Sequence, residues 1–297
     1  MLKRKILFLV LLLYVSLTSV LAYAQGKVVA SIKPLQLIAA AITDGVSTPE
    51  LLVPATLSPH HFALRPSDVV ALGNADLIVW VGPGLETFLV DLMEQGDRDK
   101  KVIEVASIRE IRLLDQEGHA MEENTDHYDP HVWLSTENAR VIASAIHAHL
   151  VETDAGNAEV FSRNLQRFLS EMDLLDQALQ QQFTDLKERP FAVYHNGTQY
   201  LEEQLSIRHA FVLVPDHERQ PGIRHLMSLR ENLAATRPGC LLEDINTNPA
   251  TVETVFQNTP VRRVLLDTMG SQQTVDHSAY RRLMEDLSAK IAGCLAD

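Results

Sequence analysis

Four positions in this 297-residue chain pair metal-ligating side chains with a placement that would let them act together. His60 and His61 stand in Ser58-Pro59-His60-His61-Phe62-Ala63-Leu64-Arg65-Pro66-Ser67-Asp68, after an extended run that ends near Pro54. His131 stands in Asp129-Pro130-His131-Val132-Trp133-Leu134-Ser135, just before a helical pattern that starts near Thr136. His195 closes the run Phe191 to His195, and Asp267 closes the run Val264 to Asp267. Open α/β sheets bind ligands in the crevice at the carboxyl ends of their strands. These positions therefore aim two ligands from each half of the chain at one crevice. Imidazole nitrogens with a carboxylate oxygen form a donor set for a divalent transition ion. Taken singly the signals are weak, because a lone histidine is usually a hydrogen-bonded surface residue and an Asp after a strand is usually a helix N-cap. His147, His149, His209, His217, His225 and His277 have no such placement and read as ordinary histidines.

The elements that would position these residues alternate between β and α, twice. Short apolar runs at Val28 to Ile32, Glu50 to Val53, Asp76 to Val81 and Val102 to Val105 predict four strands. A second set lies at Phe191 to Tyr194, Phe211 to Val214, Cys240 to Leu242 and Val264 to Leu266. Helical patterns between them predict parallel sheets covered by helices on both faces, an α/β fold. Between the two sets, Phe161, Leu165, Phe168, Leu169, Met172, Leu175, Leu179, Phe183 and Leu186 recur in steps of three and four. That spacing predicts one long helix over 154–187, stopped by Pro190. The division expected is 25–152 for a first lobe, 153–189 for the linking helix and 190–297 for a second lobe. Asp115 to Asp129 breaks the pattern: it carries Asp115, Glu117, Glu122, Glu123, Asp126 and Asp129, with His119 and His127. It reads as a mobile acidic surface loop; the sharper reading is a weak collector of divalent cations.

Composition narrows the classes. With 46% hydrophobic and 22% charged residues, the chain is globular, not disordered. Its net charge of -13 argues against nucleic acid or an anionic membrane as partner, since phosphate binding needs basic patches. Lys3, Arg4 and Lys5 precede an apolar run from Ile6 to Val15 and the small-x-small string Ala22-Tyr23-Ala24. This is a signal peptide over 1–24, cleaved after Ala24, because the run is shorter than the ~20 apolar residues of a membrane span. Export would leave Cys240 and Cys294, the two cysteines, in an oxidising compartment where such a pair becomes a disulfide.

Read in order, SPHHFALRPSD, NADLIVWVGPGLE, DPHVWLS, the strand-ending His195, RQPG at Arg219 to Gly222, and LLD at Leu265 to Asp267 resemble a known family. It is the zinc-binding subfamily of the periplasmic metal-binding proteins that feed ABC importers (ZnuA-like). The resemblance runs from Val28 to Cys294. It implies two βα lobes with parallel sheets, joined by a single long backbone helix, with the metal site in the cleft. It implies ligands at His60, His131 and His195, an acid ligand at Asp267, and a disulfide where Cys240 and Cys294 fall. The partners implied are a zinc ion and a membrane permease of an ABC importer, with the protein a periplasmic monomer and not an enzyme. The chain departs from the pattern in its short, His-poor Asp115 to Asp129 segment, in Pro59 before the first ligand, and after His195 and Asp267.

Imidazole suits zinc whereas manganese prefers oxygen, so three histidines with at most one carboxylate favour Zn²⁺. With Asp267 bound, the shell is closed and there is no room for an activated water, which describes a carrier. With water in its place the same histidines would be a hydrolase's ligand set, and a secreted zinc-dependent hydrolase is the alternative, as is a carrier of manganese or another divalent metal. The general-base signatures that hydrolysis needs are missing. A ligand histidine should donate its other N–H to a nearby acceptor, which the residues do not name; Glu243, at a strand end, is a candidate, with a structural salt bridge as its first reading.

Overall fold

The structure, a computed structural model, describes residues 26–95, 102–121, 128–214, 222–245, 247–257 and 259–296. The expected signal peptide, residues 122–127 of the acidic segment with His127, His217 and Arg219 to Pro221 of the RQPG string lie outside them. Strands β1 (Val28–Ala30), β2 (Glu50–Leu51), β3 (Leu77–Trp80) and β4 (Val102–Glu104) form a parallel sheet in the order β2-β1-β3-β4. Strands β5 (Phe191–His195), β6 (Phe211–Val214), β7 (Cys240–Glu243) and β8 (Arg262–Leu265) form a second, in the matching order β6-β5-β7-β8. Val28 pairs with Leu77 in the first and Phe191 with Cys240 in the second. In each sheet the winding direction reverses beside the first strand of the set, between β1 and β3 or β5 and β7. A crevice opens at such a switch point, at the strands' carboxyl ends.

The strands fall where the apolar runs place them, with shifts at the ends. The largest is β8, which takes in the exposed Arg262 and Arg263. It lies at the sheet edge, where backbone pairing needs no apolar side chains and charges block further pairing. Helix α1 (Lys33–Thr43) opens with Pro34, whose fixed φ suits a first turn, and is buried along its whole length. The remaining helices are α2 (Pro66–Gly73), α3 (Val90–Gln95), α4 (Thr136–Thr153), α5 (Ala158–Gln182), α6 (Gln199–Leu205), α7 (Ile223–Thr236), α8 (Pro249–Phe256) and α9 (Ala279–Leu295). The long helix is α5, shorter than the expected 154–187. Asp154 and Asn157 form their own turn before it, joined by an Asn157 Nδ2 to Asp154 Oδ2 bond of 2.7 Å, and looser turns follow Gln182.

The two halves are welded together. One apolar core runs from Val28 in β1 through α1, α4 and α5 to Leu295 in α9. Helix α9 packs against both α1 and α5. Trp133 Nε1 donates to the Thr268 carbonyl at 3.1 Å, and Tyr280 Oη donates to the Trp133 carbonyl at 2.7 Å. Cys240 and Cys294 are disulfide-bonded with Cα atoms 5.6 Å apart, which ties β7 to α9.

In the first sheet, Gly82-Pro83-Gly84 wraps a fully buried carboxylate. Glu86 accepts from Ser31 Oγ, from Val81 N at 3.3 Å and from Gly82 N at 3.1 Å. Burial outweighs these bonds and pushes its pKa up to about 7. The turn needs glycine, because Gly82 has φ +137° and a Cβ there would sit 2.9 Å from Tyr128 Oη.

Two outcomes are expected. A carboxyl raised in the folded state binds its proton more tightly there than in the unfolded chain. Its contribution to stability is present at low pH and is lost as pH rises from the ordinary carboxylate range to about 7. Glu86→Gln should therefore flatten the decline in urea midpoint between about pH 5 and 7; an unchanged slope would assign the decline elsewhere. Cys294→Ser opens a loop closed across 54 positions and should lower the unfolding free energy by roughly 4 kcal/mol, read as a shift in urea midpoint.

Candidate metal centre

Each histidine of the centre is delivered by a different local device. After β2 the chain makes a tight turn over Pro59–His61, anchored by the buried Pro59. This turn directs His60 inward, half-buried, and leaves His61 exposed. The pair of histidines is thereby resolved in favour of His60. His131 precedes another tight turn, Val132–Leu134, whose buried apolar residues fix it against the core. Ser135 Oγ then accepts from Asn138 N and starts α4. His195 is the last residue of β5, in register with Val214 of β6, at the second switch point.

The three rings meet. Centroids lie 5.7 Å apart for His60 and His131, 6.2 Å for His60 and His195, and 5.2 Å for His131 and His195. One nitrogen from each lies within 4.8 Å of the other two. Nitrogens bound to one tetrahedral zinc stand ~3.4 Å apart, so modest rotations of the rings bring the three to bonding distance. Gly197 leaves the space between two of the rings open, since a Cβ there would stand 3.2 Å from His131 Nε2 and 3.0 Å from His195 Cδ2. The crevice around them holds a cavity of about 50 Å³, walled by Leu57 and Pro59 from one half and by Leu242, Ile245 and Met269 from the other.

Asp267 stands outside this group. Its Oδ2 accepts from Ser271 Oγ at 2.8 Å and from Gln272 N at 3.3 Å. Its Oδ1 is buried with no hydrogen-bond partner among the described residues. The neighbours Leu266, Thr268 and Met269 line the crevice. Of the four expected ligands the fold thus brings three together and leaves the fourth one residue off the lining.

Glu243 takes the salt-bridge role and not the acceptor one. That carboxylate is paired with Arg263, Oε1 to Nη2 at 2.7 Å. The acceptor is Asp129, 1% exposed, whose Oδ1 takes His131 Nδ1 at 2.7 Å and His131 N at 3.0 Å. A carboxylate only accepts, so this bond keeps a proton on Nδ1 and leaves Nε2 as the nitrogen that a metal can take. Sequence reasoning placed Asp129 in the acidic segment; its signal was the Asp-x-His spacing inside DPHVWLS. The described part of that segment forms a hydrogen-bonded turn. Asp115 accepts from the Glu117 and His119 amides at 2.8 Å each, and these bonds hold its carboxyl below the usual range. Among the other histidines, His209 pairs with Glu202 at 2.8 Å, His147 meets Ser162 Oγ and His225 meets the Leu213 carbonyl.

Residues 28–294 match the model of the family described as ZnuA, zinc-uptake complex component A, periplasmic. The high-affinity zinc uptake system protein ZnuA of Yersinia pestis is 31% identical over 292 residues, covering 92% of this chain and 92% of the relative. A crystal structure of ZnuA superposes with a TM-score of 0.77 at 22% identity, covering 91% of this chain and 99% of the other. A zinc-bound ZnuA deletion mutant gives 0.75 at 23% identity, covering 91% and 98%.

Removing the hydrogen bond to His131 is expected to weaken zinc binding roughly 10- to 100-fold in Asp129→Ala. Isothermal calorimetry measures this, and an unchanged affinity would show that Asp129 does not set the ring.

Proposed function

The chain belongs to the family of the periplasmic component A of zinc-uptake complexes, and from that premise we propose how its own residues capture and release the ion. It binds zinc as cargo in a zinc-uptake system and hands it to an ABC-type membrane permease. On this reading the chain is made with a signal peptide, is cut after Ala24, and works as a monomer in the periplasm. Its lobes are 25–152 and 190–297, joined by 153–189.

The observation that carries the reading is the convergence of His60, His131 and His195, from both halves, on one small space. Three borderline nitrogens suit zinc over manganese. A cavity of about 50 Å³ has room for an ion and very few waters, far less than the several hundred Å³ of an organic-substrate site. That supports a carrier over a hydrolase. Asp267 is the proposed fourth ligand. Its Oδ1, buried without a hydrogen-bond partner among the described residues, is the kind of orphaned acceptor that a cation satisfies. A small movement of the turn after β8 would bring it in and close the shell. The shared core and the bonds between the halves leave little freedom for a wide hinge. Release therefore comes from local rearrangement of the ligand turns when the protein docks on the permease.

His60→Ala, His131→Ala and His195→Ala should each weaken zinc binding by orders of magnitude, measured by competition with a chromogenic chelator. The triple variant should show no specific binding; wild-type affinity in it would refute the site. Asp267→Ala should have a smaller effect. Chelator-treated protein should stay folded by circular dichroism and rebind zinc, whereas unfolding on zinc loss would point to a structural ion.

A further inference from the structure

Asp129 holds His131 with one carboxylate oxygen, and the other is held from across the molecule. Gln199, the first residue of α6, is 5% exposed and donates from Nε2 to Asp129 Oδ2 at 3.1 Å. The next residue, Tyr200, donates from its hydroxyl to the Asp129 carbonyl at 2.8 Å and accepts from Leu114 N at 3.0 Å. Gln199 is itself hemmed in by the turn at 115–119. Gly118 has φ +81°, and a Cβ on it would lie 2.6 Å from Gln199 Oε1. The Gln116 carbonyl of the same turn accepts from Gln199 Nε2 at 3.5 Å and from Asn196 Nδ2, beside His195, at 2.8 Å.

We propose that Gln199 is a positioning residue for metal capture: through Asp129 it lets the second lobe set the ring of His131, a ligand from the first lobe. This rests on the zinc-carrier reading of the three histidines. A carboxylate with one oxygen free can rotate about its Cβ–Cγ bond and carry the imidazole with it. Gln199 removes that freedom by fixing the second oxygen. The donor comes from the helix that begins four residues after His195, so the geometry of one ligand is referred to the backbone that carries another. The 115–119 turn completes the device. A side chain at residue 118 would press directly on Gln199 Oε1.

Gln199→Met keeps the volume and removes the donor. It should weaken zinc binding roughly tenfold and alter the visible ligand-field absorption of the Co²⁺-loaded protein, while the metal-free urea midpoint moves little. Gly118→Ala should shift the Co²⁺ spectrum and the zinc affinity in the same sense by pushing on Gln199. The double variant should lose no more affinity than the more affected single one, because both act on one bond. Wild-type zinc affinity and Co²⁺ spectrum in Gln199→Met would overturn the proposal, as would losses that add in the double variant. His131→Ala in the same series separates the two levels. If it binds zinc normally, the carrier site is wrong; if it fails to bind while Gln199→Met is normal, only the positioning role is wrong.

Discussion

Three imidazoles with tilted and T-shaped contacts, each bringing one nitrogen to the same small space, form an arrangement that the side chains would not keep unaided. Nothing attracts the three nitrogens to one another. In the absence of a cation their dipoles oppose close approach, and each ring has rotamer freedom to lose. The surrounding structure supplies the restraint. Pro59 and its turn fix His60, the Asp129 carboxylate fixes His131, and the register of β5 on β6 and β7 fixes where His195 leaves the sheet. Side chains so restrained would lose little ordering entropy to a cation that took all three nitrogens.

The restraint works only if the two halves keep their relative position, and the packing ensures it. Helix α9 ends the chain yet lies against α1 near its beginning, and the same apolar core includes the buried faces of α4 and α5. Tyr280 Oη, buried in this core, donates to the Trp133 carbonyl two residues after His131, and burial holds its phenol protonated well above the ordinary range. The Cys240–Cys294 bond fastens α9 to the second sheet. Such a frame favours ligand capture with small local motions over a wide swing of rigid lobes.

Much of the frame was legible in the residues. The apolar runs marked all eight strands; β1, β3, β5 and β7 stood out because a strand covered by helices on both faces has to be apolar nearly throughout, while the more exposed β2 and β8 at the sheet edges carried shorter runs. The spacing from Phe161 to Leu179 marked α5, because one face of it meets the core. The three histidines that converge were named from the sequence, but only His195 stands at a strand end, while His60 and His131 are carried by turns in the loops. Less accessible were the partners. Asp129 lies in an acid-rich stretch, and charge alone makes it look like its solvated neighbours. Glu243 sits at a strand end and looks like a ligand's partner, but Arg263, on the adjoining edge strand, takes its carboxylate. Gln199 carries no pattern at all, since a single amide at a helix start is equally at home in water.

The sequence by itself determined the alternation of strands and helices, the candidate ligands and the cysteine pair, because these follow from periodicity, residue type and local turn chemistry. Tertiary structure alone decided that Asp267 is held by its own turn and that Asp129 is buried between His131 and Gln199. Those outcomes depend on which distant segments become neighbours. A side chain's partner, its burial and its aim are properties of that packing, and nothing in the local string encodes them.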